Sequence, residues 1–254
     1  IRGLVGSEMC IRDRLLSAYM IILFGGLAIG MLLLNVSNPN NYEPFILVSI
    51  LLSLALVPIL LTKRSAPKFK KIGTISVNEL FKISPLGTVS SFCTGLIHSA
   101  FFSLIAVYAT TSNFTLFETS ILLFLSTIAG VIFQGPIGYF SDKFERRKVI
   151  VVTTLLSALF ALLAIIFGGE SLQNMYLSVK VPLSKIIFFI SVALYAGLCL
   201  PLFSLNLAHT NDYVAKEKFV AAGGGLQLIF GIGAIIGPIS VSYTHLTLPT
   251  TEAV

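Results

Sequence analysis

Charged residues are scarce in this sequence. Only 11% of its 254 residues are Asp, Glu, Lys or Arg, whereas a soluble globular domain carries roughly 25%. Hydrophobic residues make up 56% of the chain, and the mean hydropathy is +0.94. So few polar groups cannot cover a surface in water, which excludes an ordinary soluble domain. The net charge of +6 is therefore attributed to Lys and Arg in cytoplasmic loops, and no nucleic-acid partner is expected.

Cysteine is also rare. Cys10, Cys93 and Cys199 form neither a CxxC pair nor a metal-ligand spacing, and a free cysteine in an apolar run behaves as a small hydrophobe. The sequence contains no HExxH motif, no Ser–His–Asp set and no paired carboxylates. We therefore expect no metal, no cofactor and no catalytic residue, and we predict that the protein is not an enzyme.

Long apolar runs fill most of the chain. A membrane-spanning helix needs about 20 mostly apolar residues, and the runs lack the alternation of outer-membrane strands. The sequence therefore predicts an all-α polytopic transmembrane helix bundle with about seven spans. The predicted spans are Leu15–Val36, Phe45–Leu61, Leu86–Thr110, Thr119–Phe140, Val149–Gly168, Lys185–Ala208 and Phe219–Ser240.

The loops between these runs alternate in charge. Six Lys or Arg residues follow the second run, four follow the fourth and two follow the sixth, whereas the intervening loops contain only Lys180. Basic loops remain in the cytoplasm. We predict an integral protein of the cytoplasmic (inner) membrane of a prokaryote, with the lipid bilayer as a partner.

The two ends of the chain differ in character from the apolar runs. Ile1–Arg14 and Val241–Val254 resemble translated sequencing-adaptor read-through, and we interpret both as non-native tails. We exclude them from reasoning about the fold, and we expect the chain to be a fragment.

The loop after the fourth run carries a motif, GPIGYFSDKFERRKVI, from Gly135 to Ile150. Its spacing, G-x-x-x-D-[RK]-x-x-[RK]-[RK], resembles the cytoplasmic loop signature of the major facilitator superfamily (MFS). The resemblance implies a conformational latch, with a glycine that allows close helix packing and an aspartate near two arginines and a helix N-terminus. Glu145 stands where the family usually has glycine, and a glutamate disfavours a left-handed turn. The matching residues are Gly138, Asp142, Lys143, Arg146 and Arg147.

The resemblance also implies a register. Residues 15–61 would be the last two helices of the N-terminal half, 62–84 the basic central cytoplasmic loop, and 85–240 five of the six C-terminal helices. The chain would thus correspond to helices five to eleven of a twelve-helix secondary transporter. Such a carrier moves a small-molecule substrate by alternating access, with a coupling proton or another ion as a further partner. We favour efflux slightly over uptake.

Polar residues at membrane depth are costly and mark candidate sites. The resemblance places five of them on helices around the central cavity. His98 could face the cavity or form an interhelical hydrogen bond, and the others could bind substrate or one another. These candidate cavity-lining residues are His98, Gln134, Tyr195, Asn206 and Gln227.

The last apolar run is rich in glycine. Gly233, Gly237 and Pro238 resemble the GxxxGP run of the family's antiporters, and small residues at this spacing also allow close helix packing. A packing seam and a hinge both remain open.

Two other classes of membrane protein have sequence requirements that this chain does not meet. A retinal protein or a related seven-helix receptor would need a Schiff-base lysine in its last helix, and Phe219–Ser240 contains none. A membrane-embedded enzyme would need clustered His, Asp or Glu, which the sequence does not show.

Overall fold

The computed structural model describes residues 19, 21–37, 41–61, 75–168 and 182–246. Every regular element in these ranges is a helix, so the prediction of an all-α protein is confirmed. A short 3-10 turn, Lys216–Lys218, precedes the last helix. The helices are α1 Ile21–Leu33, α2 Glu43–Leu60, α3 Val77–Ile83, α4 Pro85–Thr111, α5 Leu116–Lys143, α6 Arg146–Gly168, α7 Pro182–Cys199, α8 Leu202–Asn211 and α9 Phe219–Leu246.

Six helical stretches in the described ranges are long and apolar enough to cross a membrane. They correspond to the second to seventh predicted spans, which confirms a polytopic bundle. α1 is shorter, and the start of the predicted first span lies outside the described residues. α2 buries none of its residues.

The predicted span Lys185–Ala208 is not one continuous helix. It divides into α7 and α8 at Leu200 and Pro201, although the two halves together still make one apolar crossing, Ser184–Asn211. Pro201 has no amide hydrogen, so the carbonyl of Gly197 loses its helical partner, and the proline ring blocks the preceding turn.

The segment 62–84, predicted to be a loop, contains the helix α3. The Ser76 hydroxyl accepts a hydrogen bond from the Glu79 amide at 3.1 Å, which caps the helix N-terminus. Leu80, at the centre of α3, is 0% exposed. A helix of seven residues is too short to give a periodic pattern in the sequence, so the sequence did not predict it. The burial of Leu80 stabilises it. α9 likewise continues to Leu246, into the segment predicted to be a tail.

Contacts between helix ends define how the chain crosses the bundle. At one end, Glu79 before α4 pairs with Lys218 before α9. At the other end, the hydroxyl of Tyr108 in α4 donates to the carbonyl of Gly168 in α6 at 2.7 Å. Because the start of α5 also meets the start of α7 there, through Glu118 and Lys185, α4, α5, α6, α7–α8 and α9 run alternately up and down between these two ends.

The described basic residues separate by end. Seven of them lie at the end where α4 and α9 begin, which we name the basic end, whereas Lys185 lies at the opposite end, paired with Glu118. This distribution is the one that the positive-inside rule expects of a cytoplasmic end. The residues at the basic end are Lys82, Lys143, Arg146, Arg147, Lys148, Lys216 and Lys218.

α4 and α9 pack backbone to backbone. A Cβ atom added at Gly233 would meet the carbonyl oxygen of Phe92, and one added at Gly95 would meet that of Phe230. An added Cβ at Gly237 would lie 2.5 Å from the Ser99 hydroxyl. Only glycine allows this approach, so α4 and α9 form the tightest seam of the bundle, with Pro238 one residue beyond it.

Candidate functional site

The Arg146 side chain connects three helices at the basic end. Its Nη2 atom lies 3.2 Å from Asp142 Oδ1, in the last turn of α5. Its Nη1 atom lies 3.4 Å from Oδ1 of Asp212, the residue that caps the C-terminus of α8. Arg146 is the first residue of α6, so one guanidinium fixes the α5–α6 turn to the end of α8.

The sequence pattern did not identify Asp212 as a partner. An acidic residue at a helix C-terminus is unfavourable beside the negative end of the helix dipole. Its presence there is a signal that a cation lies nearby, and Arg146 is that cation.

The other motif residues have different surroundings. Lys143 donates to the hydroxyl of Tyr139 at 3.1 Å, and Arg147 is exposed and takes no part in the ion pairs of Arg146. An added Cβ at Gly138 would meet no atom within 4 Å. The expected close helix contact at this glycine is therefore not formed by the described residues: glycine permits an approach but does not require one.

Glu145 does not disturb the turn. Within the described ranges, Asn113 is the non-glycine residue with a positive φ, so Glu145 keeps an ordinary backbone conformation and no glycine is needed at its position. Its carboxylate lies 3.0 Å from Lys148 Nζ. The departure from the family pattern therefore leaves the geometry between Asp142 and Arg146 intact.

A line of contacts joins α4 to α7 and α8, and the pairs run antiparallel. The Asn206 amide nitrogen donates to Thr94 Oγ1 at 3.1 Å. His98 Nε2 lies 3.0 Å from the Cys199 carbonyl oxygen, and the rings of Phe101 and Tyr195 lie 5.5 Å apart. Three predicted cavity residues, His98, Tyr195 and Asn206, therefore lie on one helix–helix interface.

His98 lies at the break between α7 and α8. A carbonyl oxygen can only accept a hydrogen bond, so Nε2 of His98 carries the proton. Cys199 is the last residue of α7, where helical carbonyls lack partners. His98 also packs edge-to-face on Phe230 of α9, with ring centroids 5.6 Å apart. Its imidazole thus supplies an interhelical hydrogen bond at the break.

Within the described residues, the five predicted cavity residues do not converge on one open space. Asn206 is 0% exposed, so it faces α4 and not an open space. Gln134 of α5 donates to Ser204 Oγ of α8 at 2.9 Å, on a different interface. Gln227 is exposed on α9.

An apolar recess of about 400 Å³ lies beside Tyr195. None of its lining residues carries a charge, and Tyr195 is the predicted cavity residue among them. The rest of this surface is apolar, so polarity in the sequence does not identify it. The recess is lined by Leu96, Ile97, Ala100, Phe101, Leu104, Ile105, Tyr108 and Tyr195.

The alternating spans, the basic end and the bridged arginine define a polytopic α-helical membrane protein. The family model described as Major Facilitator Superfamily matches residues 87–249. The chain belongs to this superfamily, as the loop motif predicted.

Curated relatives carry the same family name. The chain is 23% identical over 229 residues to the uncharacterized MFS-type transporter YcaD of Escherichia fergusonii. The matched region covers 89% of the chain and 55% of the relative. It is 24% identical over 233 residues to an uncharacterized MFS-type transporter of Yersinia enterocolitica. Here the matched region covers 91% of the chain and 56% of the relative. The chain thus spans about half the length of these relatives. No solved structure matches it.

Proposed function

We propose that this chain forms part of a secondary active transporter that moves a small solute by alternating access, with a proton or another ion as the driving partner. The observation that carries the proposal is the Arg146 bridge between Asp142 and Asp212. Charge pairs across helix ends can form in one conformation and separate in another, so they are suited to a two-state latch. In this proposal Arg146 is the central residue of the latch.

Membership of the superfamily supports the domain layout. Residues 15–61 would belong to the N-terminal half of the carrier, 62–84 would connect the halves, and 85–240 would belong to the C-terminal half. Carriers of this kind bind substrate between the two halves, near the middle of the bilayer. Enterobacterial relatives favour the inner membrane of a prokaryote as the location.

The apolar recess supports export as the direction. Its lining side chains are apolar except for two tyrosines, and the Tyr108 hydroxyl already donates to the Gly168 carbonyl. A wall of this kind binds an uncharged, apolar molecule better than a polar nutrient. Such molecules enter cells through the lipid without a carrier, so a protein that binds them is more useful for removing them.

Flux measurements on the full-length carrier that contains this chain test the proposal. Cells or proteoliposomes would be loaded with a panel of neutral, cationic and anionic solutes, and efflux and uptake would be followed. Arg146→Gln should reduce saturable flux strongly, because it removes both carboxylate contacts. Arg147→Gln is the matched control, since it removes a neighbouring exposed charge, and it should retain more flux. Equal flux in both variants, or no saturable flux of any solute, would contradict the proposal.

A further inference from the structure

The outward side of α3 combines apolar and basic residues. Val77 is 43% exposed and Phe81 is 48% exposed, and a spacing of four residues puts both on one face of the helix. Asn78 and Lys82, also four residues apart, are exposed on an adjacent face. Two apolar side chains beside a lysine are typical of a helix at a membrane surface.

The side of α3 that carries Glu79, Leu80 and Ile83 is fixed to the bundle. Leu80 is 0% exposed and packs in a cluster with Val214, Ala222, Leu226 and Ile229. Glu79 pairs with Lys218 at 2.9 Å. Because these contacts determine how α3 is rotated about its axis, the face of Val77 and Phe81 points away from the bundle.

The level of α3 relative to the membrane follows from its neighbours. α3 ends at Ile83, and the membrane-spanning helix α4 begins at Pro85. Two tyrosines exposed at this end, Tyr139 and Tyr213, mark a boundary between lipid and water, where Tyr and Trp collect.

We propose that α3 binds the anionic headgroup region of the bilayer, with Val77 and Phe81 in the upper acyl region and Lys82 beside the phosphates. Charge complementarity supports this occupant. The segment 62–74, directly before α3 in the sequence, contains five Lys or Arg residues and no Asp or Glu. A basic cluster next to a membrane span attracts anionic lipid.

The attachment of α3 links this lipid contact to the charged cluster. Lys218 ends the segment between α8 and α9, and Asp212, which pairs with Arg146, begins it. A bilayer that holds α3 in place therefore also restrains this segment at its far end.

Tryptophan fluorescence tests the proposal, because the chain contains no tryptophan. The whole chain would be placed in phosphatidylcholine vesicles with or without phosphatidylglycerol, and with lipids brominated near the top of the acyl chain as quenchers. Phe81→Trp reports on the apolar face. Asn78→Trp, on the adjacent polar face, is the matched control. Val77→Trp is a second reporter on the apolar face in case the first variant does not fold.

The expected result is a blue-shifted emission in Phe81→Trp that brominated lipid quenches. Brominated lipid should quench the fluorescence of Asn78→Trp less. Phosphatidylglycerol should deepen the quenching, and Lys82→Gln should remove part of that increase. Lys148→Gln removes an exposed lysine paired with Glu145, and it should leave the increase in quenching by phosphatidylglycerol unchanged.

Three results would overturn the proposal. A red-shifted, unquenched emission would show that the face points into water. A blue-shifted emission that lipid does not quench would show that protein covers it. Quenching that is the same with and without phosphatidylglycerol would show that α3 does not bind the anionic headgroup.

Discussion

The guanidinium of Arg146 lies 3.4 Å from the carboxylate of Asp212, which attaches the first residue of α6 to the C-terminal cap of α8. The contact offsets two unfavourable placements. Asp212 lies at the negative end of one helix dipole and Arg146 at the positive end of another. Each charge is poorly placed on its own helix, and the pair is favourable only while the two helix ends stay together.

We expect Asp212→Asn to change transport more than stability. Asp212 is about half exposed, and exposed ion pairs contribute roughly 0–1 kcal/mol to stability. The substitution loses this contribution, but it also removes an unfavourable negative charge from a helix C-terminus, which offsets part of the loss. Flux through the full-length carrier should fall while the thermal unfolding temperature of the folded protein changes little. Glu217→Gln, on the same connection, is the control. Unchanged flux in Asp212→Asn would show that Arg146 does not act through this carboxylate.

The seam between α4 and α9 predicts a large difference between two glycines in one helix. Gly233→Ala should destabilise the bundle by about 1–3 kcal/mol, as overpacking does, because its Cβ would meet the Phe92 carbonyl. Gly231→Ala is the matched control, since an added Cβ there meets no atom within 4 Å and alanine favours the helix. Thermal unfolding of the purified chain in detergent measures both. Equal unfolding temperatures would contradict the packing of this seam.

The membrane spans could be predicted from sequence because length and hydropathy decide whether a helix inserts. The break at Pro201 could not, because a proline does not by itself determine a break in a span. Pro58, Pro136 and Pro238 lie inside helices that continue through them. At Pro201, the His98 side chain from α4 supplies a hydrogen bond beside the break, and the sequence does not show that contact.

The cavity-lining role of the polar residues stays a prediction, for a related reason. Polar residues in a span avoid lipid, but they can do so by facing a cavity or by facing another helix. Hydropathy does not distinguish these cases. Asn206 faces a neighbouring helix, whereas the recess beside Tyr195 is lined mostly by apolar residues that no polarity criterion would select.

We expect His98→Phe to destabilise the chain and His98→Gln to restore part of the loss. Phenylalanine keeps an aromatic ring against Phe230 but leaves the Cys199 carbonyl without its donor, and an unsatisfied buried group costs about 1–3 kcal/mol. Glutamine retains an N–H donor. Thermal unfolding of the three proteins in the same detergent compares them. A variant His98→Phe as stable as the original chain would show that the hydrogen bond is dispensable.

The charge pattern predicts which end faces the cytoplasm. In a chain whose native cysteines are replaced, Phe144→Cys at the basic end should resist an impermeant thiol reagent added outside intact cells. Thr111→Cys, exposed at the opposite end of α4, should react with it. The reverse pattern of labelling would invert the topology.

The Glu79–Lys218 pair predicts a dependence of stability on pH. Lys218 donates to Glu79 at 2.9 Å, and this hydrogen bond and charge lower the pKa of the Glu79 carboxyl from its ordinary value. A carboxyl whose pKa is lower in the folded state stabilises that state above its unfolded pKa of about 4.3. The contribution is lost as the pH falls through the lower, folded value.

Glu79→Gln should therefore unfold at a lower temperature than the original chain at neutral pH, and the difference should shrink once the pH falls below about 4.3. Comparing the two proteins at each pH cancels the titration of the other carboxyl groups. Glu217→Gln removes an exposed acid close to the same lysine, and it should follow the original chain at every pH. A difference that persists or grows at acid pH would show that the pair is not what fixes α3 to the start of α9, and that Leu80 in its apolar cluster holds the helix alone.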